Sequence, residues 1–323
     1  MLKISYTTIV NKDFEPYLMQ LIKSHQMFSR IDLTVYTINF EIKSNEYNNV
    51  NFVQLFDENL QEFDDTGENK YIKNVYEKHK YTTLLKSKAL KKISDSYDYY
   101  FIITPFTSHY EVLNKIGQYK NKKIWCEKPL TLTLKESDDI YSLMDKNNNM
   151  LFVDWVYTFN PCIDRVKKIV SKKKIKQVIL NRTNDGPVRH DCGSIPDLSS
   201  HDLSILYYIF GLDNFDFTWN EFSIKSNEEF GSNISWYYKD GLQVIINSSW
   251  QHKTKNRVAL FITEDDEIIV FDDVKKTIVS SKGLEDLSNT KSPLHLAMNY
   301  FFTSDNFTNN KSITMKITKN LEV

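Results

Sequence analysis

A chain of 323 residues, 41% hydrophobic and 26% charged, is long enough for two packed cores. Its 41 Lys and Arg balance 42 Asp and Glu, which leaves no basic footprint for nucleic acid or an anionic membrane surface. Three scattered cysteines (Cys126, Cys162, Cys192) exclude a disulfide framework and a paired-cysteine metal knuckle, so a reducing compartment is expected. The N-terminus lacks a basic region leading into a long apolar stretch, and no apolar run reaches the roughly 18 residues of a membrane span. These features predict a cytoplasmic protein.

The first half alternates strand and helix patterns. Strands are predicted over "KISYTTIV", "IDLTVYTINF", "VNFVQLF", "YDYYFIIT", "KKIWCEK" and "MLFVDWVY". Between them, "DFEPYLMQLIKSHQMF", "YTTLLKSKALKKIS", "SHYEVLNKIGQY" and "TLKESDDIYSLMDKN" carry apolar residues at helical spacing. Such alternation predicts a Rossmann-like α/β domain with a doubly wound, mostly parallel sheet over residues 1–155.

Beyond residue 155 the texture changes. A helix at "FNPCIDRVKKIV" leads to the strand "KQVILNRT", a polar loop and the helix "PDLSSHDLSILYYIF". Six strands then follow without intervening helices, from "FDFTWNEFSIK" to "KTIVSS". Lys239-Asp240-Gly241 marks a tight hairpin between two of them. Residues 156–323 are therefore expected to form an α+β domain with a large, mainly antiparallel open sheet. The chain stops at "SITMKITKNLEV", and an apolar face left partly uncovered there would favour self-association. Trp236 and Trp250 are expected to pack that sheet.

Chemistry is expected at the carboxyl edge of the first sheet. The strand "YDYYFIIT" breaks at Thr104-Pro105, and the next strand ends in Glu127-Lys128-Pro129. In "GSIPDLSSHDL", Pro196 suits a first helical turn, and Asp197 and His201 stand four apart on one face. A carboxylate beside an imidazole raises its basicity, and a lysine ammonium opposes that. Lys128, Asp197 and His201 could thus move a proton on or off a hydroxyl near neutral pH. Taken singly, each has a plainer reading: a solvated strand-end charge, or a weak surface pair. Asp154, Tyr157 and Asn160 could touch a substrate, although a turn between domains explains them as well. The histidines form no H-x-x-x-H or H-E-x-x-H pair, and no metal site is expected; His190 and Cys192 read as ordinary loop residues.

Taken in order, "ITPFTSHYEVL", "CEKPLTLTLKESDDIYSL", "FVDWVYTFNP", "GSIPDLSSHDLSILYYIFG" and "SSWQHKTKNRVALFITEDDEIIVFDD" resemble the glucose-fructose oxidoreductase / inositol dehydrogenase / MocA family over residues 100–302. The resemblance implies an oxidoreductase using NAD or NADP on a sugar, an inositol or a nucleotide-linked sugar. It implies Lys128 beside the nicotinamide, and Asp197 and His201 handling the hydroxyl proton, with His201 as base in oxidation. Thr104, Pro105, His109 and Glu127 would lie on the cofactor side. Pairing of two copies through the C-terminal sheet is likewise implied.

The first hundred residues depart from that pattern. The family opens with a strand running into G-x-G-x-x-G, yet the earliest glycine here is Gly67, and the corresponding turn reads "TIVNKDFEPYL". Asp13 and Glu15 would then stand where a pyrophosphate docks. This stretch is faintly similar to GT-A glycosyltransferases, but without their Asp-x-Asp metal motif. Two other readings therefore stay open: a non-redox sugar-binding or regulatory protein of the same fold, and a hybrid with a glycosyltransferase-like start.

Overall fold

The computed structural model describes residues 5–11, 32–38, 50–55, 99–186, 193–211, 217–222 and 231–322, the first three segments as backbone alone. The helices predicted within residues 13–28 and 81–94, the turn after the first strand, and His190 and Cys192 lie outside these residues.

By their contacts the residues divide into two compact units, 1–100 with 112–122, and 101–111 with 123–323. In the first unit β1 (Ser5–Asn11), β2 (Asp32–Ile38) and β3 (Val50–Leu55) form a sheet with both pairings parallel. This is the arrangement that strand–helix alternation predicts, since parallel neighbours need a crossover between them.

Two sheets follow. The smaller has the order β4 (Tyr99–Ile102), β5 (Lys123–Cys126), β6 (Met150–Val153), and β5 pairs with β6 in parallel. Helix α1 (His109–Ile116) follows β4, and α2 (Leu134–Lys146) joins β5 to β6. Thr133 caps α2, its hydroxyl accepting from the Glu136 amide at 3.2 Å. After β6 a short 3₁₀ turn (Val156–Phe159) leads into α3 (Pro161–Val170), where Asn160 caps and Pro161 takes the first position.

The larger sheet has eight strands in the order β14-β13-β12-β11-β7-β10-β9-β8. Its centre is β7 (Ile175–Asp185), antiparallel to β11 (Gln251–Thr263) and parallel to β10 (Leu242–Ser249). The edges are β9 (Ser232–Lys239) with β8 (Thr218–Phe222) on one side, and β12 (Ile268–Asp272), β13 (Thr277–Ser280) and β14 (Gly283–Asp286) on the other. Asp240 and Gly241 both take positive φ (54° and 84°), so the β9–β10 hairpin closes in the two-residue turn that Asp-Gly predicts. One face of this sheet is core: Val178, Leu180, Val244, Ile246, Ala259, Phe261, Ile269 and Phe271 are buried. Helix α4 (Ser200–Phe210) contributes Leu203, Leu206 and Tyr207 to the core.

The C-terminal expectation is corrected. Beyond α5 (Pro293–Thr303), residues Thr308–Leu321 form a further helix, α6. Its sequence "TNNKSITMKITKNL" is polar and rich in β-branched residues, which conceals it from propensity arguments. Burial explains its formation: Asn310, Thr314, Ile317 and Leu321 recur at helical spacing and are all buried. Asn310 also completes β6. Its Oδ1 accepts from the Val153 amide and its Nδ2 donates to the Val153 carbonyl, both at 2.8 Å. Thr314 accepts from the Trp155 indole at 2.8 Å. Asn310→Ala strips both partners from a buried strand end and should cost about 2–4 kcal/mol. Urea unfolding measures this, and an unchanged midpoint would show that the amide adds nothing. These contacts also explain why β5 and β6 group with the C-terminal sheet rather than dividing near residue 155.

Candidate active site

The ends of β4, β5 and β6 are tied together just past the strands. Glu127 donates its amide to the Ile102 carbonyl at 2.9 Å, and Asp154 donates its amide to the Cys126 carbonyl at 2.9 Å. The ladder continues one residue beyond each strand, so Glu127, Lys128 and Asp154 stand at neighbouring carboxyl ends. The Lys128–Pro129 peptide bond is cis.

The loop after β4 is braced from within. Ser108 donates its hydroxyl to Thr104 Oγ1 at 2.7 Å. His109 is fully buried, and its ring nitrogens lie 2.9 Å from the carbonyl oxygens of Pro129 and Thr104. His109 thus ties the β4 loop to the Lys-Pro turn. The resemblance implied a place on the cofactor side; the ring itself braces the loop. The outward side chains there are Ile103, at 70% exposure, Pro105 and Thr107.

Asp197 reaches Lys128 from a different element. Ile195–Ser199 is a single π-helical turn that runs directly into α4. Lys128 Nζ donates to Asp197 Oδ1 at 3.1 Å and also to the Asp197 carbonyl. Trp250 Nε1 donates to Asp197 Oδ2 at 3.1 Å. Both carboxylate oxygens are therefore engaged, one by a cation and one by an indole. Sequence reasoning gave Trp250 a role in packing the sheet; it is 2% exposed, and its indole also holds Asp197.

His201 departs from expectation electrostatically. The i, i+4 spacing predicts that Asp197 raises its basicity, but that carboxylate is occupied by Lys128 and Trp250. His201 Nδ1 is buried without a hydrogen-bond partner, and the ring meets Tyr157 edge-on, centroids 5.3 Å apart. Burial, and then the charges of Lys128, Arg182 and Arg257, hold its pKa well below the usual imidazole range. At neutral pH His201 is an uncharged ring able to accept a proton.

Two more residues stand at the site: Asp154, which the sequence offered as a possible substrate contact or a turn residue, and Arg182, which it did not offer. Asp154 is 5% exposed, with Oδ1 buried and unpartnered. Burial, reinforced by Glu127 and opposed by Lys128, lifts its pKa to about 8. Glu127 is also shifted upward by burial, with Lys128 pulling the other way. Arg182 lines the same cavity as His201. Its Nε bonds both oxygens of Asp202 at 3.1 Å, its Nη2 bonds Oδ1 at 2.8 Å, and its Nη1 donates to the Tyr157 hydroxyl at 2.8 Å. Burial works against this charge, but Asp202 and Tyr157 outweigh it and keep the guanidinium protonated. The aspartate after His201 is a visible sequence signal. Arg182 carries none, because its partner lies 20 residues away on another element.

The fold is that of the two-part, Rossmann-type dehydrogenases, and comparison with known proteins agrees. Residues 37–155 match the family model described as oxidoreductase family, NAD-binding Rossmann fold. Over residues 37–155 the chain is similar to the glucose-fructose oxidoreductase / inositol dehydrogenase / MocA family. An uncharacterized oxidoreductase of Bacillus subtilis is 30% identical over 122 residues, 35% of this chain and 36% of that protein. The scyllo-inositol 2-dehydrogenase (NAD(+)) of the same organism is 27% identical over 124 residues, 36% of each. The matched segments thus span about a third of those relatives' length. Among solved structures, UDP-N-acetylglucosamine 3-dehydrogenase from Acidithiobacillus ferrooxidans superposes with a TM-score of 0.66 at 14% identity, covering 100% of this chain and 97% of that one. An inositol dehydrogenase homolog from Azotobacter vinelandii, complexed with NADH and myo-inositol, gives 0.56 at 13% identity over 73% and 71%.

Proposed function

We propose that the protein is an NAD- or NADP-dependent oxidoreductase that oxidises or reduces a hydroxyl carbon of a sugar-type substrate. The supporting observation is the convergence of Lys128 on Asp197 beside a neutral His201, at the carboxyl ends of β5 and β6. The residues present fit a nicotinamide ring: Ile103 and Pro105 offer an outward apolar surface, and Lys128 and Glu127 stand at the next strand end. When bound, the nicotinamide supplies the hydride acceptor or donor. Lys128, held by Asp197, presents a fixed ammonium donor to the substrate oxygen. His201 takes the hydroxyl proton in oxidation and returns it in reduction. Trp250 keeps Asp197 from turning away from Lys128.

Titration of NADH and NADPH by fluorescence, followed by turnover assays on inositols and sugars, tests this reading. Saturable binding and a loss of about 10²–10⁴-fold in turnover for Lys128→Ala are expected. No saturation up to millimolar cofactor would sink it.

A second reading, a sugar-binding protein of the same fold without the dinucleotide, draws on one observation. The family match begins at residue 37, beyond the turn where glycines would cradle a pyrophosphate. Each amide hydrogen bond lost to that charged group removes about 1.5–3 kcal/mol. Sugar-dependent reduction of NAD⁺ that disappears in Lys128→Ala would exclude this reading.

We also propose self-association through the open face of the large sheet. Trp236, Ile245, Ile179, Leu260, Val270 and Val279 pair in register as one apolar row across six strands. Trp236 and Val279 are both 44% exposed. Burying such a row on a second copy removes apolar area from water. Light scattering should give a multiple of 38.1 kDa, falling to that mass in Val270→Lys. A monomeric wild type would refute the proposal.

A further inference from the structure

A cavity of about 250 Å³ opens beside His201, between Tyr157 and the start of α5. It far exceeds the roughly 30 Å³ share of a single water, and it falls below the roughly 300–1,000 Å³ of drug-sized pockets. One sugar ring fits that range and a dinucleotide does not. The walls are polar and cationic: Arg182, Arg257 and Lys276 line the cavity, with Asp273 as the carboxylate among the described lining residues.

The internal pairings show which of these charges are already committed. Asp202 takes Arg182 in the bidentate bridge described above. Asp273 accepts from Lys276 Nζ at 2.5 Å, from the Tyr157 hydroxyl at 3.0 Å and from Asn160 Nδ2 at 3.2 Å. Arg257 remains. Its Nη1 stands 3.9 Å from Asp273, beyond hydrogen-bond reach, and its side chain is 42% exposed. Three cations thus face two carboxylates, and the surplus sits on a planar guanidinium whose donors match a carboxylate or phosphate. Lys276, 35% exposed, keeps ammonium protons to spare after bonding Asp273. A surface arginine is ordinarily just solvated. Here it shares a cavity with the imidazole proposed to handle the substrate proton.

We propose that this cavity is a subsite for an anionic substituent on a sugar-sized substrate, held by Arg257 with Lys276. The substrate class is then a sugar acid or a sugar phosphate rather than a neutral hexose. The assignment rests on the reading of His201 as the proton acceptor, because the substrate must reach that ring.

Calorimetric titration of the full-length protein, without any dinucleotide, tests it with glucuronate, glucose 6-phosphate and glucose. Saturable millimolar or tighter binding of at least one of the two acids, at least tenfold tighter than glucose, is expected. Whichever acid binds more tightly identifies carboxylate or phosphate as the group. Arg257→Gln should weaken that binding at least tenfold while keeping the wild-type melting temperature, since the guanidinium makes no hydrogen bond among the described residues. Glucose binding as well as either acid, neither acid binding, or an unaltered affinity in Arg257→Gln would each overturn the inference. Failure of the redox reading would look different: the acid would bind and respond to Arg257→Gln while NADH and NADPH titrations stay flat.

Discussion

Asp202→Ala should destabilise the protein by about 3–5 kcal/mol, the largest loss expected from any single change in the site. Arg182 and Asp202 are 5% and 2% exposed, so removing the carboxylate leaves a buried guanidinium without its counter-charge. Tyr157 cannot compensate. It accepts one hydrogen bond from Arg182 and offers its ring 4.6 Å from the guanidinium carbon, but it carries no charge. The pair itself contributes far less than this loss, because desolvating two ions offsets most of their attraction. A double variant, Arg182→Met with Asp202→Leu, should therefore recover most of the stability lost in Asp202→Ala. Urea denaturation measures both, and a loss under about 1 kcal/mol in the single variant would mean that water reaches the pair. Because Arg182 holds the Tyr157 hydroxyl and the Tyr157 ring meets His201, turnover in Asp202→Ala should fall even where the protein remains folded.

Asp154 should make stability depend on alkaline pH in an unusual direction. Its folded pKa, about 8, lies above the ordinary carboxylate value of 3.8. Between these two values the native state holds a proton that the unfolded chain has released. Stability from this group is full below about pH 4, falls as pH rises through the window, and is gone above about pH 8. The whole window is worth on the order of 5 kcal/mol, about 2 kcal/mol of it between pH 6.5 and 8. His201 works in the opposite sense, since its folded pKa is depressed. Its effect confers stability as pH rises and is complete above about pH 6.5. Burial also shifts Glu127 and Cys126 upward, so the difference between wild type and Asp154→Asn from pH 6.5 to 9 is what reads Asp154. Asp154→Asn copies the neutral acid and should flatten the fall, leaving the variant more stable than wild type at pH 9. Parallel melting curves for the two proteins across that interval would rule out the buried proton.

Lys128 and Asp154 also show how far sequence reasoning reached. The apolar run "KIWC" ending in Glu-Lys-Pro located Lys128 at a strand end, because strand pattern and its breakers are local properties. Asp154 follows "MLFV" in the same manner and could be named as a possible substrate contact, yet its retained proton was invisible. A carboxylate becomes unusual only when its surroundings remove water and provide no hydrogen-bond donor, and those surroundings come from other elements. His109 shows the same limit: the resemblance placed it on the loop after β4, but only the fold shows its ring against the Pro129 and Thr104 carbonyl oxygens.

What the sequence by itself determined was the course of the chain. Period-two and helical patterns set the alternating first half, the antiparallel second half and the Asp-Gly hairpin, and the order of short motifs marked the family and its lysine. Tertiary structure alone decided the partners. The i, i+4 spacing assigned Asp197 to His201, whereas the folded chain gives Asp197 to Lys128 and Trp250, residues 69 and 53 positions away. Helix α6 was likewise decided by packing, since only burial of Asn310, Thr314, Ile317 and Leu321 makes so polar a segment helical. The physical reason is the same in both cases. Local pattern and turn chemistry follow from neighbours in sequence, while burial, charge pairing and hydrogen-bond pairing follow from neighbours in space.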